Sequence, residues 1–231
     1  DDGLSIYDFW SDTWSYKNES NWLSDNDVKE IIKDSTWKIW VATDSWINIY
    51  NPATTTWNII DEDNSLLPDD EVLSLVENSF WDVWVWTEDW IGIYDISTDS
   101  WSYFDEDNSW LPDEEVTDII QDNLWNMVIW TEDGLSYYDV VSDSWNNYTK
   151  NNSGLDSDDI TSVIQVSTWE FWIWTNQWVS VFDKINDTWV NYDKNNSWLE
   201  SSHVNSIFEY SDGVIWIATD KWLTKYDWNS W

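Results

Sequence analysis

Five leucines, Leu23, Leu67, Leu111, Leu155 and Leu199, follow one another at intervals of 44 residues without an insertion. A fixed period of that length restricts a chain to an array of equal supersecondary units. The neighbourhood of each leucine recurs with it. Leu23, Asp27, Val28, Ile31 and Ile32 return as Leu67, Glu71, Val72, Leu75 and Val76, then as Leu111, Glu115, Val116, Ile119 and Ile120. Each copy holds four short segments rich in β-branched and aromatic residues, separated by Asp, Asn, Ser and Thr clusters of turn composition. In the third copy the strands are predicted at Val116 to Gln121, Met127 to Thr131, Leu135 to Asp139 and Trp145 to Tyr148.

Four strands in one such period is the size of a propeller blade. Helix-pair solenoids have similar periods, but they need apolar residues at i, i+3, i+4 and i+7 over ten or more positions. The apolar segments here are shorter than that. Only Val116, Ile119 and Ile120 keep helical spacing, and a short helical turn is the alternative reading there. The expected fold is all-β, a β-propeller of four-stranded antiparallel blades. A single domain is expected over 1–231: a partial blade at 1–22, repeats at 23–66, 67–110, 111–154 and 155–198, and an incomplete blade at 199–231. Asp2 to Asp8 match the third strand of a copy, and Trp14 with Tyr16 match the fourth. His203 to Tyr210, Val214 to Thr219 and Leu223 to Asp227 supply three strands, with Trp228 to Trp231 starting another. A five-bladed ring closed by its two ends and a piece of a larger ring are the two arrangements this leaves. The chain starts at Asp1 and within a repeat, so a processed, excised or partial chain is expected, to which further domains of a longer protein could be joined.

Composition narrows the partners. The formal charge is −37, from 46 acidic residues against nine basic ones, all of them lysine. Nucleic acids and anionic membrane surfaces would meet a repulsive field, so neither is an expected partner. The acidity also serves solubility and discourages pairing of sheet edges. No apolar run approaches the roughly twenty residues that cross a bilayer, so no membrane insertion is expected. Without cysteine there is neither a disulfide framework nor a thiolate site.

Catalytic chemistry has little to stand on. His203 is the only histidine, and it occupies the column of Asp27, Glu71, Glu115 and Asp159, where a solvated loop residue is expected. Paired carboxylates recur with the repeat, whereas a catalytic pair should appear once. The chain is read as a non-enzyme, with no catalytic residue, cofactor or metal assigned. Asp61-Glu62-Asp63-Asn64 and Asp105-Glu106-Asp107-Asn108 offer oxygen ligands of the kind calcium takes, but they lack EF-hand spacing. The plainer reading is a solvated turn between blades. In a propeller that turn and the loop between second and third strands, such as Glu88-Asp89 or Glu132-Asp133, emerge on one face, which would be strongly negative.

The third copy, from Trp110-Leu111-Pro112-Asp113-Glu114-Glu115-Val116 through Ile129-Trp130-Thr131-Glu132-Asp133-Gly134-Leu135-Ser136-Tyr137-Tyr138-Asp139, resembles the two-component regulator propeller repeat. The resemblance extends over essentially the whole chain. It implies a ligand-sensing or interaction propeller like the extracytoplasmic sensor part of such regulators, in the periplasm or outside the cell. On that reading the acidic face takes a small molecule, a glycan or a cationic partner, with Asp69, Asp70, Asp113, Glu114 and Asp158 on its rim. The rival reading is a secreted or cell-surface propeller for adhesion or assembly, with no signalling role.

The sequence departs from the family's pattern at its glycines, which are mostly replaced by tryptophan. The columns are Trp22, Trp110 and Trp198; Trp37, Trp81, Trp125 and Trp169; Trp86, Trp130 and Trp174; and Trp46, Trp90, Trp178 and Trp222. The chain shows the same exchange internally, because Gly154 stands in the first column, Gly213 in the second and Gly134 in the fourth. Glycine is used where φ is positive or a backbone passes close, and tryptophan is suited to neither. Three explanations compete: a real aromatic surface for sugars, an engineered or misassigned chain, and a gene whose UGA codons mean glycine in its own cell but were read as tryptophan. The third is favoured, because it accounts for 14 of the 26 tryptophans at once.

Overall fold

The computed structural model describes residues 3–87, 90–105, 107–113, 116–199, 201, 204–211 and 213–227. Among them there are strands, turns and one short 3-10 segment, Glu19–Asn21. The chain forms two compact units, Asp1–Ser109 with Glu114–Val116, and Trp110–Asp113 with Thr117–Trp231.

The first unit opens with a two-stranded pair, β1 (Leu4–Asp8) and β2 (Thr13–Lys17). Two four-stranded antiparallel sheets follow, each in simple meander order. One holds β3 (Val28–Lys33), β4 (Ile39–Thr43), β5 (Ile47–Asn51) and β6 (Thr56–Ile60). The other holds β7 (Val72–Glu77), β8 (Asp82–Thr87), β9 (Ile91–Asp95) and β10 (Ser100–Phe104). In the second unit β11 (Val116–Gln121), β12 (Met127–Thr131), β13 (Gly134–Asp139) and β14 (Ser144–Tyr148) make one sheet. A second sheet holds β15 (Ile160–Gln165), β16 (Phe171–Thr175), β17 (Val179–Asp183) and β18 (Thr188–Tyr192). The last is three-stranded, with β19 (Val204–Ser211), β20 (Val214–Thr219) and β21 (Leu223–Tyr226). The helical turn entertained at Val116 to Ile120 is absent; the segment is strand β11. Its spacing arises because Val116 and Ile119 are buried while Ile120 is half-buried, a pattern that strand bulging produces as readily as a helix does. The corresponding strands β3, β7, β15 and β19 all carry a register shift near their start, at Val28/Glu30, Val72/Ser74, Ile160/Ser162 and Val204/Ser206. Such bulges bend a strand and turn side chains out of strict alternation.

Burial explains why the period must be kept. Trp40, Ala42, Ile47 and Ile49 of one sheet pack with Val72, Leu75, Val83 and Val85 of the next, and Leu67 closes the layer. In the second unit Val128, Trp130, Leu135 and Tyr137 meet Ile160, Val163, Phe171 and Ile173 around Leu155. Trp172, Trp174, Val179 and Val181 meet Ile215 and Ile217 around Leu199 in the same way. Each fully buried aliphatic side chain contributes about 1.5–3 kcal/mol. The period-setting leucines therefore lie between sheets, and a single inserted residue would turn the following strands inside out. Polar tethers repeat beside these cores. The Ser35 amide donates to Glu77 Oε1 at 2.9 Å, Asn123 to Gln165 Oε1 at 2.6 Å and Ser167 to Glu209 Oε2 at 2.9 Å.

The hairpin between the first two strands is built identically in four copies. The Asp34 amide donates to the Lys38 carbonyl and the Trp37 amide to the Asp34 carbonyl, at 2.9 and 3.0 Å. Asp34 Oδ1 also accepts the Thr36 and Lys38 amides at 2.8 and 2.9 Å. This is a three-residue loop whose last residue lies in the left-handed region, an arrangement that normally places glycine there.

Candidate functional site

Loops at one end of the sheets are bound to each other through their backbones. The Asp44 amide, between β4 and β5, donates to the Asp27 carbonyl at 3.1 Å, and that of Asn176, between β16 and β17, donates to Asp159 at 3.0 Å. The Trp46 amide reaches the Asp70 carbonyl on the connection into the next sheet at 2.7 Å, as Gly3 reaches Asn26 at 3.0 Å. Connecting loops and second-to-third-strand loops thus share an edge within each unit, as the sequence predicts.

The acidic residues on this edge do two things, and Asp61 does both. The first is to build turns. Asp61 Oδ1 accepts the Asn64 amide at 2.9 Å, while Asn64 Nδ2 donates to the Ile59 carbonyl at 3.2 Å. Asp105 and Asn108, and Asp193 and Asn196, repeat the pair. Asp and Asn favour such turns because their short side chains bond their own backbone two or three residues on. No group of three or more His, Asp or Glu among the described residues is arranged to hold a metal ion.

The second is to give the edge its field. Asp70 above all, then slight burial and the charges of Asp69, Asp63 and Asp61, push the Glu62 carboxyl above its ordinary range. Five carboxylates therefore act on one exposed loop. Of the predicted rim, Asp69 and Asp70 belong to this cluster. Asp69 Oδ1 accepts the Glu71 amide at 2.8 Å, and Asp70 Oδ1 accepts the Trp46 indole N–H at 2.5 Å. Asp113 is half-buried on the connection into β11. Asp158, on the connection into β15, is engaged by Lys150, through its amide at 2.6 Å and its ammonium at 3.2 Å. Glu114 lies outside the described residues, as do Glu88, Asp89 and His203.

Asp156 was not foreseen. Its Oδ1 accepts the hydroxyls of Thr175 and Ser180 at 2.9 and 3.1 Å, while its Oδ2 is buried without a hydrogen-bond partner. The repeat carried little signal, since the same column holds Ser24, Pro68 and Pro112 but also Glu200. A second buried network, Asp122 with Tyr137 and Asn126, belongs to the first-to-second-strand turn: the Tyr137 hydroxyl donates to Asp122 Oδ2 at 2.6 Å. Burial, then that bond to a carboxylate, drives the phenol far above its usual range.

Residues 199–221 match the two component regulator propeller family model. The two-component regulator propeller resemblance read from the third copy thus has a match in the last one. No curated protein matches the chain in sequence. Among solved structures, the extracellular domain of the hybrid two component system BT3049 from B. thetaiotaomicron aligns at TM-score 0.70 and 22% identity, over 94% of this chain and 29% of that one. PorZ, a bacterial surface component of the type-IX secretion system of Porphyromonas gingivalis, aligns at 0.66 and 16%, over 88% and 32%. Virginiamycin B lyase from Staphylococcus aureus aligns at 0.63 and 14%, over 87% and 69%. The fold is a β-propeller built of four-stranded antiparallel blades. This chain spans about three tenths of the length of the first two proteins. An extracellular domain of a two component system, a surface component and a lyase share one architecture, so function has to be argued from the site.

Proposed function

We propose that the chain is a non-catalytic ligand-sensing or interaction propeller of a longer extracytoplasmic regulator, placed in the periplasm or outside the cell. Its acidic edge takes a cationic partner, a small molecule or a glycan, with Asp69, Asp70, Asp113, Glu114 and Asp158 on the rim. The observation that carries this reading is the convergence of Asp61, Asp63, Asp69 and Asp70 on Glu62. A site that raises the pKa of an exposed carboxyl through like charges recovers that energy when a cation arrives. The lyase likeness lies at the level of the fold, and the repeated carboxylates here serve turns, so catalysis is not part of the proposal.

The test is thermal unfolding with spermine, a lysine-rich peptide and a panel of neutral oligosaccharides at millimolar concentration. A ligand that binds the folded state raises the midpoint by mass action. At least one probe is expected to do so, with the effect lost in the Asp69→Asn, Asp70→Asn double variant. No shift from any probe, or a shift indifferent to that variant, would overturn the site. The likeness to a bacterial surface component supports a second reading, adhesion without signalling. A membrane helix and histidine kinase in the same reading frame would favour sensing, and their absence would favour adhesion.

A further inference from the structure

The backbone treats the second tryptophan column, and Trp46 in the fourth, as glycine. In the second column Trp37, Trp81, Trp125 and Trp169 have φ of 71, 71, 71 and 77°, and Gly213, their counterpart in the last sheet, has 83°. Each tryptophan closes the same loop, its amide donating to the carbonyl three residues earlier at 2.8–3.1 Å. In the fourth column Trp46 has φ 83° and its counterparts Gly3 and Gly134 have 87 and 133°, whereas Trp178 and Trp222 are not among the positive-φ residues. A Cβ on Gly134 would stand 2.7 Å from the Tyr148 carbonyl oxygen, and one on Gly3 would stand 2.2 Å from that of Lys17. These positions need an absent side chain as well as an unusual φ.

The other positive-φ residues make the contrast. Asp12, Thr55, Asp99, Asp143 and Asp187, in the third-to-fourth-strand hairpins, lie between 51 and 57°. That is the centre of the left-handed well, which Asp visits with help from its short polar side chain. The tryptophans lie at its edge or beyond, up to 100° at Trp22. Several of their indoles are mostly in solvent: Trp22, Trp37 and Trp81 are 60% exposed or more.

The two remaining columns agree by different physics. In the third column Trp86, Trp130 and Trp174 are buried. The same column is small in the outer copies, at Ala42 and Ala218. In the first column a Cβ on Gly154 would come within 2.3 Å of Trp189 Cβ. Leu66 occupies that column in the second copy, so it does not demand glycine in every blade.

We propose that these fourteen positions are glycine in the protein as its own cell makes it, encoded by UGA codons that the cell reads as glycine. One event then explains all four columns. The tryptophans at other positions are true residues, among them Trp40, whose Nε1 donates to the buried Asp34 at 2.8 Å. A consequence falls on the acidic edge. Without the Trp46 indole, the Asp70 carboxylate loses its neutral donor and stands open beside Asp69 and Glu62. The exposed indoles of Trp22, Trp110 and Trp198 disappear, and with them the aromatic faces that sugar stacking would need.

The gene's codons and peptide mass spectrometry of the protein isolated from its own cells test this directly. UGA at the fourteen positions, UGG at Trp40, Trp84 and Trp172, and glycine masses in peptides covering 34–38 and 78–82 are expected. UGG codons, or a tryptophan mass at any of the fourteen, would overturn the proposal for that column. Recombinant chains carrying glycine or tryptophan at all fourteen add a folding readout. The glycine chain is expected to unfold at the higher temperature, and the opposite order would count against the backbone argument even if the codons agreed.

Discussion

Replacing Trp81 by glycine and, separately, by alanine isolates what the backbone demands from what the indole contributes. Both variants remove the same ring, which is 60% exposed, so loss of packing cancels in the comparison. What remains is one methyl group at φ 71°. An L-residue in the left-handed region costs about 1–2 kcal/mol. Glycine gives back about 0.5–1 kcal/mol through the greater backbone entropy of the unfolded chain. The glycine variant should therefore be the more stable by about 0.5–1 kcal/mol, read from urea denaturation followed by far-ultraviolet circular dichroism. Ile59, on strand β6 and outside the positive-φ set, is the control. There the order should reverse, alanine exceeding glycine by about 0.5–1 kcal/mol. An alanine variant at 81 as stable as the glycine variant would refute the claim that this turn asks for glycine.

Two further outcomes test the site and the network behind it. In a carbon-13 titration the Glu62 carboxyl should titrate above an ordinary glutamate, and Asp70→Asn should bring it back down, since Asp70 is the largest cause of the shift. Because its folded value is raised, protonated Glu62 favours the folded loop: that contribution is full below the unfolded value and is lost as pH rises through the folded one. A midpoint unmoved by Asp70→Asn would remove the cluster. For Asp122→Ala, which strips the Tyr137 hydroxyl, the Asn126 amide and two turn amides of their acceptor, the expected loss is about 3 kcal/mol or more by urea denaturation, whereas Asp122→Asn should lose less. A loss under about 1 kcal/mol for the alanine variant would mean that water replaces the carboxylate.

What the sequence disclosed and what it withheld follow from how a repeat works. A constant period transmits every feature that all blades share, so strand positions were legible: β11 and β12 begin and end at the predicted residues, and β19 to β21 fall within a residue or two of theirs. Turn chemistry was legible for the same reason, as in the recurring Asp–Asn pairs at 61 and 64, 105 and 108, and 193 and 196. Features confined to one blade were harder to see. Asp156 reads as one more aspartate in a chain of 46 acidic residues, and its column, with Ser24, Pro68, Pro112 and Glu200, holds a second acidic residue, so the sequence does not set it apart. Lys150 neutralises Asp158 through a partner eight residues away, a pairing that depends on loop conformation and has no counterpart in the other copies to announce it. The tryptophans invert this rule. Their letters alternate with glycine at 134, 154 and 213, which poses the question in the sequence; the dihedral angle under the second column, matched by that of Gly213, answers it there by showing a backbone suited to glycine.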